Sequence, residues 1–143
     1  MTKTMTARSL LATALLVSLL GCASTPVPTS SARNVPAERV LNASLLKPMD
    51  GYGQVIVKTD AGLSSPFCKV RVFANGTPVA DMATSEKIVL YLPEGEQMLG
   101  AEVVGICPNV LVEIMALVSR SRPAVFRISG GVNGEFYIQP TAF

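Results

Sequence analysis

Apolar and polar residues alternate with a period of two through most of the chain after Gly53, which is typical of strands buried on one face. Cys68, Val70 and Val72 share one face of such a strand, and the charged residues between them share the other. The same alternation predicts about eight short strands. They cover Gln54 to Lys58, Phe67 to Phe73, Val79 to Met82, Glu86 to Leu92, Gln97 to Val104, Val110 to Ser119, Val125 to Ser129 and Phe136 to Gln139.

Turn residues separate these runs at short intervals. Asn75-Gly76 tolerates positive φ and predicts a tight hairpin, and Pro93 with Gly95 favours a type I turn. Short strands at this spacing predict an all-β domain over residues 40–143, a small antiparallel β-sandwich. The run from Val110 to Ser119 also suits a helix. We assign it to a strand, because a lone helix among hairpins would need a packing surface of its own.

The N-terminus has a different pattern. Lys3 and Arg8 lie in a segment without acidic residues, and the eleven residues from Leu10 to Leu20 carry no charge. A helix that spans a membrane needs about 20 apolar residues, whereas the apolar region of a secretory signal has about 7–15. Residues 1–21 are therefore predicted to be a cleaved signal peptide.

The end of this apolar run, Leu19-Leu20-Gly21-Cys22, resembles the lipobox of bacterial lipoproteins. The resemblance implies cleavage between Gly21 and Cys22, and it implies that Cys22 carries diacylglycerol and a further acyl chain. Two or more acyl chains make anchoring stable, so a membrane is a predicted partner. Ala23 stands where Asp would favour the inner membrane. The resemblance therefore implies the outer membrane, with the domain in the periplasm or at the cell surface.

The residues between this cysteine and the domain have a composition of their own. Residues 22–39 are rich in Ser, Thr and Pro and lack apolar periodicity. They predict a flexible linker that would separate lipid and domain by some 20–30 Å. The apolar residues from Val40 to Leu46 are consistent with either a docking segment or a short strand.

Two cysteines, Cys68 and Cys107, remain as a pair if Cys22 is lipidated. An even number of cysteines in an oxidising compartment predicts a disulfide. Closing a loop of about 40 residues would stabilise the fold by roughly 4 kcal/mol, less any strain. The alternatives are two free thiols or a metal site, and two thiols without a histidine do not favour a metal.

Composition argues against most catalytic classes. The chain has no His, and so lacks the commonest general base and metal ligand. We predict that it is not an enzyme and needs no metal or cofactor. A hydrolase is the alternative, and it would need carboxylates converging in a cleft, such as Glu94, Glu96 and Glu135. Without the signal, the chain has ten basic and ten acidic residues, and the basic ones are scattered along the sequence. Nucleic-acid binding, which needs a clustered basic surface, is therefore not expected.

The segment from Val70 to Val104 contains a strand, a Gly-containing turn, a short strand, and then an apolar strand that runs into Pro93-Glu94-Gly95-Glu96. This order resembles the PEGA-type β domains of bacterial envelope proteins, with Glu96 as a departure from their name-giving motif. The resemblance implies a β-sandwich with a non-catalytic role in the envelope. It brings no functional residues with it.

These features predict a membrane-anchored envelope lipoprotein that acts as a binding module. Its partner would be an envelope protein or the cell wall. The alternative is an accessory or immunity-type lipoprotein that inhibits one protein partner at the membrane. A neighbouring gene for a toxin or a secretion component would favour this alternative.

Overall fold

The computed structural model describes residues 23–63, 66–131 and 134–143. Two short 3-10 helices, Ala37–Arg39 and Ala43–Leu46, precede the long strands. The described residues contain no helix long and apolar enough to cross a membrane. The strands are β1 (Arg33–Asn34), β2 (Tyr52–Thr59), β3 (Cys68–Ala74), β4 (Thr77–Met82), β5 (Glu86–Pro93), β6 (Gly95–Gly105), β7 (Leu111–Val118), β8 (Ala124–Gly130) and β9 (Phe136–Pro140).

The strands form two sheets that pack face to face, which confirms the predicted β-sandwich. One sheet has the order β1-β5-β2-β8-β9, and the other has the order β4-β3-β6-β7. Most neighbouring strands are antiparallel, but β1 runs parallel to β5, and β2 runs parallel to β8. Alternation indicates which face of a strand is buried and carries no information on the direction of its neighbour, so the sequence did not predict these two parallel pairs.

The predicted hairpin at Asn75-Gly76 and the assignment of Val110 to Ser119 to a strand are both confirmed. Asn75 and Gly76 have φ values of 49° and 75° and join β3 to β4 in a two-residue hairpin. The segment that also suited a helix forms β7, paired with the eleven-residue β6. Its inward residues Ala116 and Val118 are buried against the other sheet, while Leu117 between them is exposed. Burial on alternate positions is what a strand provides and a helix does not.

The core lies between the two sheets. The inward positions of β2, β3 and β5 carry mostly aliphatic residues and are buried, while the positions between them are partly exposed, except at the end of β2, where both faces are buried. At the open end of β2 the sheets approach closely: a Cβ added at Gly53 would lie 2.4 Å from the carbonyl oxygen of Ser119. The central buried side chains are Val55, Val57, Val70, Val72, Val79, Leu90, Leu92, Leu99, Phe126 and Ile128.

The N-terminal segment, defined here as residues 23–40, differs from the predicted flexible linker. β1 pairs with the start of β5, and the amides of Ser24 and Thr25 donate to Gly130 and Ala61 at 3.1 and 2.9 Å. Composition was misleading because main-chain hydrogen bonds, which any residue type can make, hold this segment. The apolar run that follows is a docking segment: Val40, Leu45 and Leu46 pack against the core.

Candidate functional site

The loops of the sandwich gather at two ends. One end, called the disulfide end, carries the described loop residues 60–63, 66–67, 83–85, 106–110, 131 and 134–135, where β2, β4, β6 and β8 finish. The opposite end carries the turns at residues 75–76 and 119–123 together with Glu94. The two ends are separated by the length of β2, about 23 Å for eight residues at 3.3 Å per residue.

A disulfide joins Cys68 to Cys107 and confirms the predicted pair. Cys68 begins β3 with 2 % of its surface exposed, so its sulfur faces the interior as the alternation predicted. Two large apolar residues directly precede these cysteines: Phe67 is 72 % exposed and Ile106 is 84 % exposed. The bridge therefore holds two exposed apolar side chains on neighbouring loops at one end of the sandwich.

Ser24 fixes the start of the N-terminal segment at the same end. Its hydroxyl oxygen accepts from the amide of Gly130 at 2.9 Å and donates to the carbonyl of that residue at 3.1 Å. Next to it, Thr25 and Ala61 exchange two main-chain hydrogen bonds of 2.9 Å. Ser24 thus pairs with the end of β8, and Thr25 pairs with the chain just after β2. The N-terminal segment therefore extends the hydrogen bonding of the larger sheet at this end.

A polar cluster lies beneath this contact. The carboxylate of Asp60 is 1 % exposed, and its Oδ2 lies 3.3 Å from both Nη1 of Arg127 and the hydroxyl of Ser24. With its amide oxygen turned to Arg127, Gln139 accepts from Nε at 2.9 Å and from Nη2 at 2.8 Å. A cavity of about 420 Å³ opens beside the cluster, and Tyr137 forms part of its lining. The guanidinium joins β2, β8 and β9 at the disulfide end.

The N-terminal segment and the C-terminal residue together cover Lys58 on the outer face of the larger sheet. It lies on the polar side of β2, yet none of its surface is exposed. Its ammonium donates to the main-chain oxygens of Val27, at 2.6 Å, and of Phe143, whose ring lies 5.4 Å away. Burial lowers the pKa of Lys58, against the attraction of Asp60.

Arg39 and Glu86 hold the far end of the N-terminal segment. Two hydrogen bonds of 2.8 and 2.5 Å join the guanidinium to the carboxylate, which is 5 % exposed. Arg39 also donates to the carbonyl of Asp81, and Glu86 accepts from the amide of Ala83 at 2.7 Å. Burial acts to raise the pKa of Glu86, but the bonds from Arg39 and Ala83 outweigh it, so the pKa is lowered.

The outer face of β7 carries three exposed apolar side chains. Leu111, Met115 and Leu117 alternate along it with exposures of 55, 50 and 73 %. Met115 and Leu117 also line a groove of about 720 Å³ between β7 and the final strands of the other sheet. Exposed apolar side chains that are contiguous along one strand differ from singly scattered ones, which need no explanation.

The carboxylates considered for a hydrolase do not converge. Glu94 lies at the opposite end, where its carboxylate accepts from Nε of Arg120 at 2.8 Å. Glu96 is exposed at the same end of β6, whereas Glu135 lies at the disulfide end, in the loop before β9. That particular arrangement is therefore wrong. Within residues 23–63, 66–131 and 134–143, no group of three or more Cys, Asp or Glu could hold a metal ion.

The lipidation and cleavage predictions fall on Gly21 and Cys22, which lie outside the described residues. The polar cluster at Asp60 and the covered Lys58 were missed, because the residues that bury them come from the segment predicted to be a linker. The one available signal was a charged residue, Lys58, directly before Thr59 and Asp60 at a strand end.

Comparison with known proteins gives no relative: models of protein families, curated proteins and solved structures were all searched, and none matches this chain. The resemblance to lipoproteins and to PEGA-type domains stays a prediction. Function is therefore inferred from the sequence features and from the geometry of the described residues.

Proposed function

We propose that this protein is a non-catalytic envelope lipoprotein, anchored through Cys22 in the outer membrane, whose β-sandwich binds an envelope protein along β7. The lipobox supports the anchor, and the exposed apolar strand supports the binding. The single observation that carries the binding role is the coincidence, on one sheet edge, of apolar side chains and of main-chain groups that no described residue pairs.

The main-chain geometry of β7 follows from one hydrogen bond. The amide of Val103 donates to the carbonyl of Val110 at 3.0 Å, so these two residues form a hydrogen-bonded pair. In an antiparallel ladder such pairs recur at every second residue. Val112 and Ile114 therefore point their amides and carbonyls towards β6. Leu111, Glu113, Met115 and Leu117 point theirs away from it.

The other edge of the same sheet is covered. Val40 forms a bridge with Ala80 of β4, and the amides of Leu41 and Asn42 both donate to the carbonyl of Val79. In the part of the chain that the structure describes, no segment does the same for β7. An open edge with an apolar face is suited to strand addition, in which an extended peptide pairs with the edge.

The chemistry of β7 defines the partner. An added strand would gain main-chain hydrogen bonds from Leu111 to Leu117, and its alternate side chains would meet the apolar face and the neighbouring groove. Glu113 lies between the apolar residues and favours a basic residue opposite it. The proposed ligand is thus an extended segment of an envelope protein with alternating apolar residues and a central Lys or Arg.

A proline at Glu113 tests the edge directly. Because the amide of this residue points away from β6, Glu113→Pro keeps the ladder within the sheet and blocks an added strand. Glu113→Gln is the matched control, since it removes the charge and keeps the amide. A photo-crosslinker at Leu117 in the lipidated protein should capture the same envelope protein in the wild type and in Glu113→Gln. Undiminished capture by a folded Glu113→Pro variant would refute binding along β7.

The anchor has a test of its own. Cys22→Ser should leave an uncleaved precursor that no longer incorporates labelled palmitate. Ala23→Ser is a suitable control, because it leaves the cysteine and the residue before it unchanged. Equal labelling of the wild type and Cys22→Ser would contradict the lipobox prediction.

A further inference from the structure

The geometry of the N-terminal segment points to a defined orientation on the membrane: we infer that the disulfide end lies on the bilayer surface, with Phe67 and Ile106 in contact with lipid. This inference rests on the proposed anchor at Cys22 and goes beyond it. An anchor alone leaves the orientation open, whereas the contacts of Ser24 restrict it.

The first step is the length of chain between lipid and domain. Ser24 is held at the disulfide end by three hydrogen bonds with Gly130 and by the pairing of its neighbour Thr25 with Ala61. Cys22 is two residues before Ser24, and two residues span at most about 7 Å. A lipid on Cys22 would therefore keep the disulfide end at the membrane, since the intervening chain is too short for the domain to turn over.

The second step is the character of this end. Phe67 and Ile106 project from the loops that flank Cys68 and Cys107, and both are more than 70 % exposed. The two sheets are separated by about 10 Å, so both loops lie within a short distance of the point where the chain enters. Further exposed apolar side chains at this end are Val110, Leu111 and Tyr137.

The opposite end has a different character. Arg120 and Glu94 form an exposed ion pair there, and Asp50 and Arg122 are also exposed. Charged groups are more stable in water, whereas aromatic and branched apolar side chains are stabilised in the interfacial layer of a bilayer. Met49 and Leu117 are exposed at this end as well, so the orientation rests on the chain length, and the exposed charges of this end agree with its position in water.

A bilayer fits these loops better than a second protein does. A stable protein interface needs about 800 Å² on each partner and a surface of matching shape. Phe67 and Ile106 instead project from two separate loops joined by one disulfide. Shallow insertion of a few side chains beside a covalent lipid requires no shape complementarity, so the lipid surface is the proposed occupant.

The absence of Trp from the sequence allows a direct test. Ile106→Trp and Leu117→Trp each place a single tryptophan at a similarly exposed apolar site, the first at the disulfide end and the second at the opposite end of β7. Each full-length lipidated variant is incorporated into phosphatidylethanolamine–phosphatidylglycerol vesicles with or without brominated acyl chains. Thermal melting confirms that both variants are folded.

Ile106→Trp should emit at shorter wavelength in vesicles and lose intensity with brominated lipid, while Leu117→Trp should show neither effect. Failure of both variants to float with vesicles would overturn the anchor, and this inference with it. Flotation without quenching at residue 106, or with stronger quenching at residue 117, would overturn the orientation alone. If Ile106→Trp already emits at shorter wavelength in detergent and brominated lipid does not quench it, residue 106 contacts protein rather than lipid. That result would also overturn the orientation.

Discussion

Arg39→Ala separates a structural role of the N-terminal segment from a linker role. Arg39 and Arg120 each donate to a carboxylate at 2.8 Å or less, but their surroundings differ. The side chains of Arg39 and Glu86 are 23 and 5 % exposed, while those of Arg120 and Glu94 are 63 and 45 % exposed. Arg120→Ala is thus a control in which the same side chain is removed from a solvated pair.

The expected magnitudes differ accordingly. Removing one partner of a buried ion pair costs about 3–5 kcal/mol, because the other charge stays buried without compensation. Ala83 still donates to the Glu86 carboxylate, so we expect Arg39→Ala to lower the free energy of unfolding by about 3 kcal/mol, the low end of that range. For a domain of this size that corresponds to a fall in Tm of roughly 10 °C. Arg120→Ala should cost less than about 1 kcal/mol.

The pH dependence gives the prediction a second readout. The pKa of Glu86 is lowered in the folded protein, although burial acts to raise it. The ionised pair therefore stabilises the protein above the unfolded-state pKa, and this stability is lost as pH falls through the folded-state pKa. Without Arg39, the pKa of Glu86 is higher than in the wild type, so the ionised carboxylate stabilises the variant less and its protonation costs the variant less stability. The loss in Arg39→Ala should be largest at neutral pH and should shrink below about pH 4.

Urea unfolding of the wild type and both variants, at pH 7 and at pH 3.5, measures these differences. The m-value shows whether the same surface is exposed in each case. If Arg39→Ala lost no more stability than Arg120→Ala at pH 7, the pair would not hold the segment, and the segment would behave as a linker. A loss that did not change with pH would mean that the Glu86 charge is not responsible.

Three further predictions concern stability. Cys68→Ala with Cys107→Ala, or reduction of the wild type, should cost up to about 4 kcal/mol, and denaturing alkylation of the untreated protein should find no free thiol. Gly53→Ala should cost about 1–3 kcal/mol, because its methyl group would meet the main chain at the end of β7, whereas Gly100→Ala, with a nearest contact of 3.3 Å, should cost less in the same melting experiment. A chain that starts at residue 40 should melt below one that starts at residue 23, because it uncovers Lys58; equal melting temperatures would contradict this.

The sequence predicted the positions of the strands well, but it did not predict which polar residues distant segments of the chain bury. Strands β3, β5 and β7 bury alternate positions, wholly or in part, so their period of two survives in the sequence. The prediction of Glu86 to Leu92 therefore comes within one residue of β5. Glu86 opens that strand as a polar residue, and its burial was not visible, because the partner Arg39 is 47 residues away in a segment without periodicity. The pairing of Cys68 with Cys107 was predictable from their number and from the predicted oxidising compartment.

The N-terminal segment links the proposed orientation on the membrane to the proposed binding along β7. If the disulfide end rests on lipid, β7 leaves the membrane at Leu111 and rises to Leu117 over about 20 Å, six residues at 3.3 Å each. The apolar face and open edge would then stand upright beside the membrane, within reach of an extended segment of a membrane-embedded or membrane-attached protein. A flexible linker of 20–30 Å would place no such limit on the partner. In that case the main-chain contacts of Ser24 and Thr25, rather than the anchor itself, would determine the height at which β7 meets the proposed ligand.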